Sequence, residues 1–295
     1  MATMRAAVFE AAGKPEEVLE LRTVPVPTPG PGEVLVKVEA RPIQPADFMF
    51  IGGRYRIRPQ CPQIAGLEGL GAVIASGAGS SLGSPSRVVF RYPGSWAEYA
   101  TVPADRCYVV PDGVSAEQAA QFALNPVTAW ALLDELHVHA GEWIAINAAT
   151  SAVALLVADL ARRRNVNVVG IVRPGREAPF PVVPADATDL AARVLAITRG
   201  APLAGYLDCV GGMMIKNMLP ALKTGGTLVS YGVLEQSPAP ILNSDMIYRN
   251  LCWKGFGIDY WLSTSSVART SSILPKRSSP TPSTSLAQSI TSSLT

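Results

Sequence analysis

The spacing of apolar and polar positions changes character near residue 115. Before it, short apolar runs alternate with polar positions at period two, in Arg5–Glu10, Val18–Arg22 and, most regularly, Glu33–Ala40 (EVLVKVEA). Gly69–Ser76 and Ser86–Arg91 continue the series. Period two sends successive side chains to opposite faces, so these stretches predict half-buried strands. Pro/Gly joints such as PVPTPGPGE punctuate them and predict a small β domain. From Ser115 the period turns helical, opening with a capping box between Ser115 and Gln118. Pro126 interrupts the run and predicts two helices joined at Leu124–Asn125–Pro126. Strand and helix patterns then alternate. Strands are expected at Trp143–Asn147, Val166–Val172, Ala204–Val210, Thr227–Tyr231 and Cys252–Ile258, with helices at Ala152–Arg164, Asp189–Thr198 and Met213–Leu222.

Two stretches depart from this order. Residues 42–69, PIQPADFMFIGGRYRIRPQCPQIAGLEG, are too rich in Gly and Pro for a regular element and read as a functional loop. If GRYRIR is extended, Arg54, Arg56 and Arg58 share one face while Tyr55 and Ile57 share the other. The residues alone favour a solvated basic loop with a packed tyrosine. In residues 263–295, Ser and Thr make up more than half of the chain and no acidic residue occurs. Such a segment buries too little apolar surface to offset its ordering entropy, which predicts disorder. The domains expected are therefore a β domain over 1–120, an α/β domain over 121–262 and a tail over 263–295.

Composition narrows the function classes. With 295 residues, nearly half of them apolar, the chain can bury two modest cores. A net charge of +2 argues against nucleic acid as a partner, and no apolar run approaches membrane-spanning length. The start, MATMRAAVFEAAGKPEEV, has neither a secretory h-region nor transit-peptide character, so a cytoplasmic location is expected. Cys61, Cys107, Cys209 and Cys252 lie far apart and read as reduced thiols. His137 and His139 have no Cys or acidic partner at a zinc spacing, so no metal is expected. No GxSxG elbow supports a hydrolase.

The strand–turn–helix–strand unit Gly141–Arg173 has the length of a mononucleotide-binding βαβ, yet its turn, Ala149-Thr150-Ser151-Ala152-Val153-Ala154, carries no glycine. Alanines at 152 and 154 narrow the approach of a pyrophosphate; Thr150 and Ser151 offer hydroxyls to it. On these residues alone, a plain structural βαβ competes evenly with dinucleotide binding. Where an NAD site has an acidic residue after the second strand, this chain has Arg173-Pro174-Gly175-Arg176, which suits the 2′-phosphate of NADP.

MRAAVFEAAGKPEEVLEL, PGPGEVLVKVEA, AGLEGLGAVIASG, SWAEYATVPADRCYVVPDG, NPVTAW, LDCVGG and TGGTLVSYGVL occur in the order found in the medium-chain dehydrogenase/reductase superfamily. Over about residues 4–261 the chain resembles its zinc-free branch of quinone oxidoreductases and 2-enoyl-thioester reductases. The histidine ligand of the zinc enzymes is replaced in Gly66-Leu67-Glu68-Gly69. The resemblance implies an N-terminal GroES-like β domain and a Rossmann domain. It also implies an NADP(H)-dependent, zinc-independent reductase of an α,β-unsaturated thioester, with a quinone as the alternative substrate, and it is compatible with a homodimer. It maps the proton-donating or substrate-orienting hydroxyl to Tyr55 and a nicotinamide-lining residue to Thr128. Further cofactor contacts are expected at Asn125, Asn147, Thr150, Ser151, Ala152, Val153, Arg173, Arg176, Cys209, Val210, Tyr231, Gly232 and Phe256. The family's helix and strand after Arg173 are compressed into PGREAPFPVVPADAT, and its return to the first domain is replaced by the Ser/Thr-rich tail, as a truncated or frame-shifted reading would do. These departures keep open a cofactor-binding but inactive homologue.

Overall fold

The computed structural model describes residues 2–264, and the chain divides into two units at Leu124/Asn125. In the first unit, Glu68–Ser76 lies at the centre of a five-stranded antiparallel sheet, with Glu33–Ala40 beside it and Tyr99–Pro103 on the outer side of that strand. Ser86–Arg91 and Cys107–Val109 complete that sheet, and a second sheet joins Glu20–Pro25, Thr3–Phe9 and Gln63–Ile64. Strict alternation fails in Glu33–Ala40: Val34, Leu35 and Val36 are all buried, and pairing with Glu68–Ser76 shifts register between Leu35 and Val36.

The loop reading of residues 42–69 is corrected in part. Pro45–Ile51 is a helix. Pro45 sits in its first turn, where a missing N–H costs nothing, and the Asp47 carboxylate accepts from the Gln44 amide at 2.7 Å to cap it. Its buried Phe50 and Ile51 pack with Phe9, Ala65 and Leu67, and Phe9 meets Phe50 edge-on at 5.9 Å.

The second unit is a six-stranded parallel sheet in the order Val182–Pro184, Asn167–Val172, Trp143–Ile146, Leu203–Asp208, Leu222–Ser230 and Cys252–Gly255. The chain runs outward from Trp143–Ile146 on one side and then restarts on the other at Leu203–Asp208. These two neighbours flank the topological switch point, where ligands of such sheets lie against the strand carboxyl ends. Pro126 does not break a helix; it occupies the first turn of Asn125–Leu136, and the break falls over residues 121–124. The compressed segment after Arg173 keeps a three-residue strand, Val182–Pro184, but no helix, and Leu155, Ala158 and Phe180 line an open groove there. Patterning also missed the short helices Asn243–Ile247 and Ile258–Thr264. The latter takes in Ser263 and Thr264, the first residues of the tail predicted to be disordered; the rest of that tail lies outside the described residues. Trp261 of this helix meets Trp130 at 5.8 Å.

Phe50→Ala should cost about 3–5 kcal/mol, the usual penalty for emptying a buried aromatic site. Urea unfolding followed by residue-resolved hydrogen exchange should localise the loss to the first unit.

Candidate functional site

Ser151 ends the turn after Trp143–Ile146 as the N-cap of helix Ala152–Arg163, its hydroxyl accepting from the Ala154 amide at 3.3 Å. The first-turn amides of Ala152 and Val153 have no intrahelical acceptor and lie at the positive end of the helix dipole. The two alanines expected to crowd this turn have different surroundings. Ala152 is exposed, whereas Ala154 is fully buried in the core with Leu132, Val157 and Ile146. The cost of a glycine-free turn falls elsewhere. Ala148 holds φ at 45°, in the left-handed region. Ala149 is fully buried and fits only because Gly170, on the next strand, has no side chain: a Cβ there would lie 2.6 Å from that of Ala149.

Asn147 follows the first strand and is fully buried. Its Nδ2 donates to the Tyr206 hydroxyl at 2.8 Å and to the Asp208 carboxylate, and its Oδ1 accepts from the Cys209 amide at 2.9 Å. The side chain expected to touch a cofactor is thus committed to joining the two strands at the switch point. Asp208 also accepts from the Gly211 amide at 3.1 Å. Burial pushes the Cys209 thiol up to about 11 and the Tyr231 phenol well above its ordinary range.

The other expected contacts lie where parallel strands end. Arg173 follows Asn167–Val172, Cys209 and Val210 follow Leu203–Asp208, Tyr231 and Gly232 follow Leu222–Ser230, and Phe256 follows Cys252–Gly255. Together with Asn147 and the turn they share one edge of the sheet. Gly232 passes close to Cys209, with room for no Cβ. Arg173 and Arg176 are exposed in a turn closed by the Arg176 amide on the Arg173 carbonyl at 3.1 Å. Asn125 and Thr128 are buried at the start of Asn125–Leu136. Thr128 Oγ1 is buried without a hydrogen-bond partner, a cost of about 1–3 kcal/mol unless a ligand supplies one, while the buried Tyr231 hydroxyl faces the Cys209 thiol. An orphaned hydroxyl, a capped helix N-terminus and two exposed arginines form a donor set that fits a nicotinamide dinucleotide.

In the first unit, GRYRIR alternates as expected: Arg54, Arg56 and Arg58 are exposed, while Tyr55 and Ile57 pack on the Phe9–Phe50 cluster. Arg56 lies over the Tyr55 ring, 5.4 Å from its centroid, and Arg58 donates to the Gly53 carbonyl. The Tyr55 hydroxyl accepts from Arg91 Nη2 at 3.2 Å. Sequence reasoning did not select Arg91, Glu68, Asp47, Gln44 or Asp208. Glu68 and Asp208 stand inside quoted motifs, Gly-Leu-Glu-Gly and LDCVGG, which was their available signal; Arg91 had none. Glu68 is buried, with Oε2 accepting from Gln44 at 2.6 Å. Burial raises it to about 8, with Arg91 pulling it down and Asp47 pushing it up. Burial likewise raises Asp47 to about 6, against the amides of Gln44 and Leu67 that it accepts from. His137 and His139 are exposed, and among the described residues no three His, Cys, Asp or Glu side chains group as a metal site.

Two measurements follow. Ala148→Gly should stabilise the fold by about 1 kcal/mol, because glycine adopts the left-handed region without a Cβ clash; the urea midpoint reads it. Both carboxyls bind protons more tightly folded than unfolded, so they stabilise the fold most at low pH. The Asp47 contribution is lost as pH rises towards about 6 and the Glu68 contribution towards about 8. Glu68→Gln should flatten the fall in stability between pH 5 and pH 8, in urea melts across that about three-unit range.

Residues 30–112 match the alcohol dehydrogenase GroES-like domain family. The protein is 31% identical over 274 residues to the mitochondrial enoyl-[acyl-carrier-protein] reductase of Xenopus tropicalis, covering 87% of this chain and 78% of that one. Against the enzyme of that name from Arabidopsis thaliana it is 30% identical over 278 residues, covering 89% and 74%. Among solved structures, a putative NADPH:quinone reductase from Mesorhizobium loti superposes with a TM-score of 0.82 at 26% identity, covering 92% of this chain and 87% of that one. A mycobacterial protein solved in complex with NADPH superposes with a TM-score of 0.78 at 29% identity, covering 88% and 83%. No helix among the described residues is long and apolar enough to cross a membrane.

Proposed function

Because the chain belongs to the zinc-independent branch of the medium-chain dehydrogenase/reductase superfamily, we propose that it reduces the activated C=C of an α,β-unsaturated thioester with NADPH. The observation that carries the choice of thioester is Tyr55, seated on an apolar cluster with its hydroxyl held by Arg91. The enoyl reductases at 30–31% identity support it. NADPH, when bound, supplies the hydride to the β-carbon.

The residues divide the remaining work. The amides of Ala152 and Val153, with the Thr150 and Ser151 hydroxyls, would hold the pyrophosphate; Arg173 and Arg176 would take the 2′-phosphate. Thr128 would give its unpartnered hydroxyl to the nicotinamide end, with Tyr231 beside it at the strand ends. Tyr55 carries the phenolic O–H available to donate to the thioester carbonyl or the α-carbon as charge builds there. Arg54, Arg56 and Arg58 raise the local concentration of a phosphate-bearing acyl carrier. Four free thiols support a reducing compartment, and we keep the cytoplasm as the expected one.

NADPH should quench tryptophan fluorescence more strongly than NADH at equal concentration, and crotonyl-CoA should be reduced faster than a quinone. Turnover with quinone alone would move the assignment to the quinone reductases, whose solved structures resemble this chain. Binding without turnover would mark an inactive homologue, and no binding would defeat the reading. Ala152→Gly should tighten NADPH binding; Ala154→Gly, in the core, should only destabilise. Neutralising Arg54, Arg56 and Arg58 together should raise the Michaelis constant for acyl-CoA, and an unchanged constant would remove them from substrate capture.

A further inference from the structure

Arg91 is the last residue of Ser86–Arg91 and pairs directly across the sheet with Glu68. Glu68 is buried and tied to Gln44, whose own amide caps the next helix through Asp47; the Asp47 carboxylate also accepts from the Leu67 amide at 2.9 Å. The guanidinium is therefore anchored at its base by strand pairing and attracted by a buried carboxyl, while one N–H reaches the Tyr55 oxygen at 3.2 Å. An arginine has donors and no acceptor, so the direction of this hydrogen bond is not in doubt: the phenol oxygen receives. A phenol O–H rotates about its C–O bond, and an N–H already facing the oxygen excludes the rotamer that points the proton at it. The ring has little freedom of its own. It packs against the Phe9–Phe50 cluster, and Arg56 lies over its face.

We propose that Arg91 is a positioning residue for Tyr55: it fixes the phenol oxygen as an acceptor and so turns the phenol proton outward, to the substrate atom that Tyr55 protonates. This rests on the reductase reading above, and it assigns to a strand-end arginine a part in proton delivery exercised through Tyr55.

The test is a double-mutant cycle on the full chain, with kcat and KM for NADPH-dependent reduction of crotonyl-CoA measured for the parent, Arg91→Met, Tyr55→Phe and the pair. Arg91→Met should lower kcat about tenfold with KM changed less than about twofold. On the Tyr55→Phe background the same change should alter kcat by less than about twofold, because the hydroxyl it acts through is gone. Arg91→Lys should recover part of the loss. Losses that multiply in the pair, or a loss confined to KM, would overturn the proposal. Should Arg91→Met not fold, the cycle is run on a Glu68→Gln background, which replaces the buried acid paired across the strands with Arg91 by a neutral group of the same shape. The same four proteins are also unfolded in urea. If the parent reduces no enoyl thioester, the functional reading fails, while non-additive stabilities still establish the Arg91–Tyr55 bond. Additive stabilities would refute the bond itself.

Discussion

The amide of Asn147 binds the carboxyl ends of the two strands on which the α/β unit turns. Its oxygen takes the Cys209 amide and its nitrogen serves Tyr206 and Asp208, all inside the protein. A buried amide of this kind is stabilising only when every partner is in place, and removing one leaves the others desolvated. The sheet register is therefore pinned where the turn into helix Ala152–Arg163 begins. From there the chain has three residues in which to reach the helix cap at Ser151. It does so with a left-handed Ala148 and an Ala149 methyl pressed into the gap left by Gly170. The glycine that such turns commonly need has in effect moved to the neighbouring strand.

That rearrangement explains how a turn without glycine keeps a usable helix N-terminus. The methyl at position 149 points into the core, the one at 154 packs between helix and sheet, and only position 152 faces outward. Most of the steric load is absorbed on the protein side. The donors that a phosphate needs, backbone amides and two hydroxyls, stay on the open side. At the start of Asn125–Leu136 the buried Thr128 hydroxyl adds a donor that no protein group satisfies.

In the β unit the corresponding constraint is charge. Two buried carboxyls, a glutamine and an arginine share a small region next to Tyr55. Burial makes the charged forms costly and raises both acids, and Arg91 offsets part of that for Glu68. The same arginine reaches the phenol. One side chain thus ties the electrostatics of the interior to the group that the functional reading places in proton transfer.

Much of this was legible before any coordinates. The switch from period two to period 3.6 near Ser115 marked where strand patterns give way to helical ones. The expected strands put Arg173 just past one strand and Tyr231 at the end of another, whereas Cys209 and Phe256 fell inside expected strands that in the fold stop at Asp208 and Gly255. The alternation of GRYRIR set the exposed Arg54, Arg56 and Arg58 apart in burial from Tyr55 and Ile57, although Arg56 lies over the Tyr55 ring. These features are local: each depends on residues within a few positions of one another, so the chain specifies them on its own. What the sequence did not specify was partnership. Asn147 meets Asp208 across 61 positions, Arg91 meets Tyr55 across 36, and Ala149 meets Gly170 across a strand pair. Such contacts are set by sheet register and by which side chains burial forces together. Only the tertiary structure, where an amide must find a partner and a methyl must find a gap, decided them.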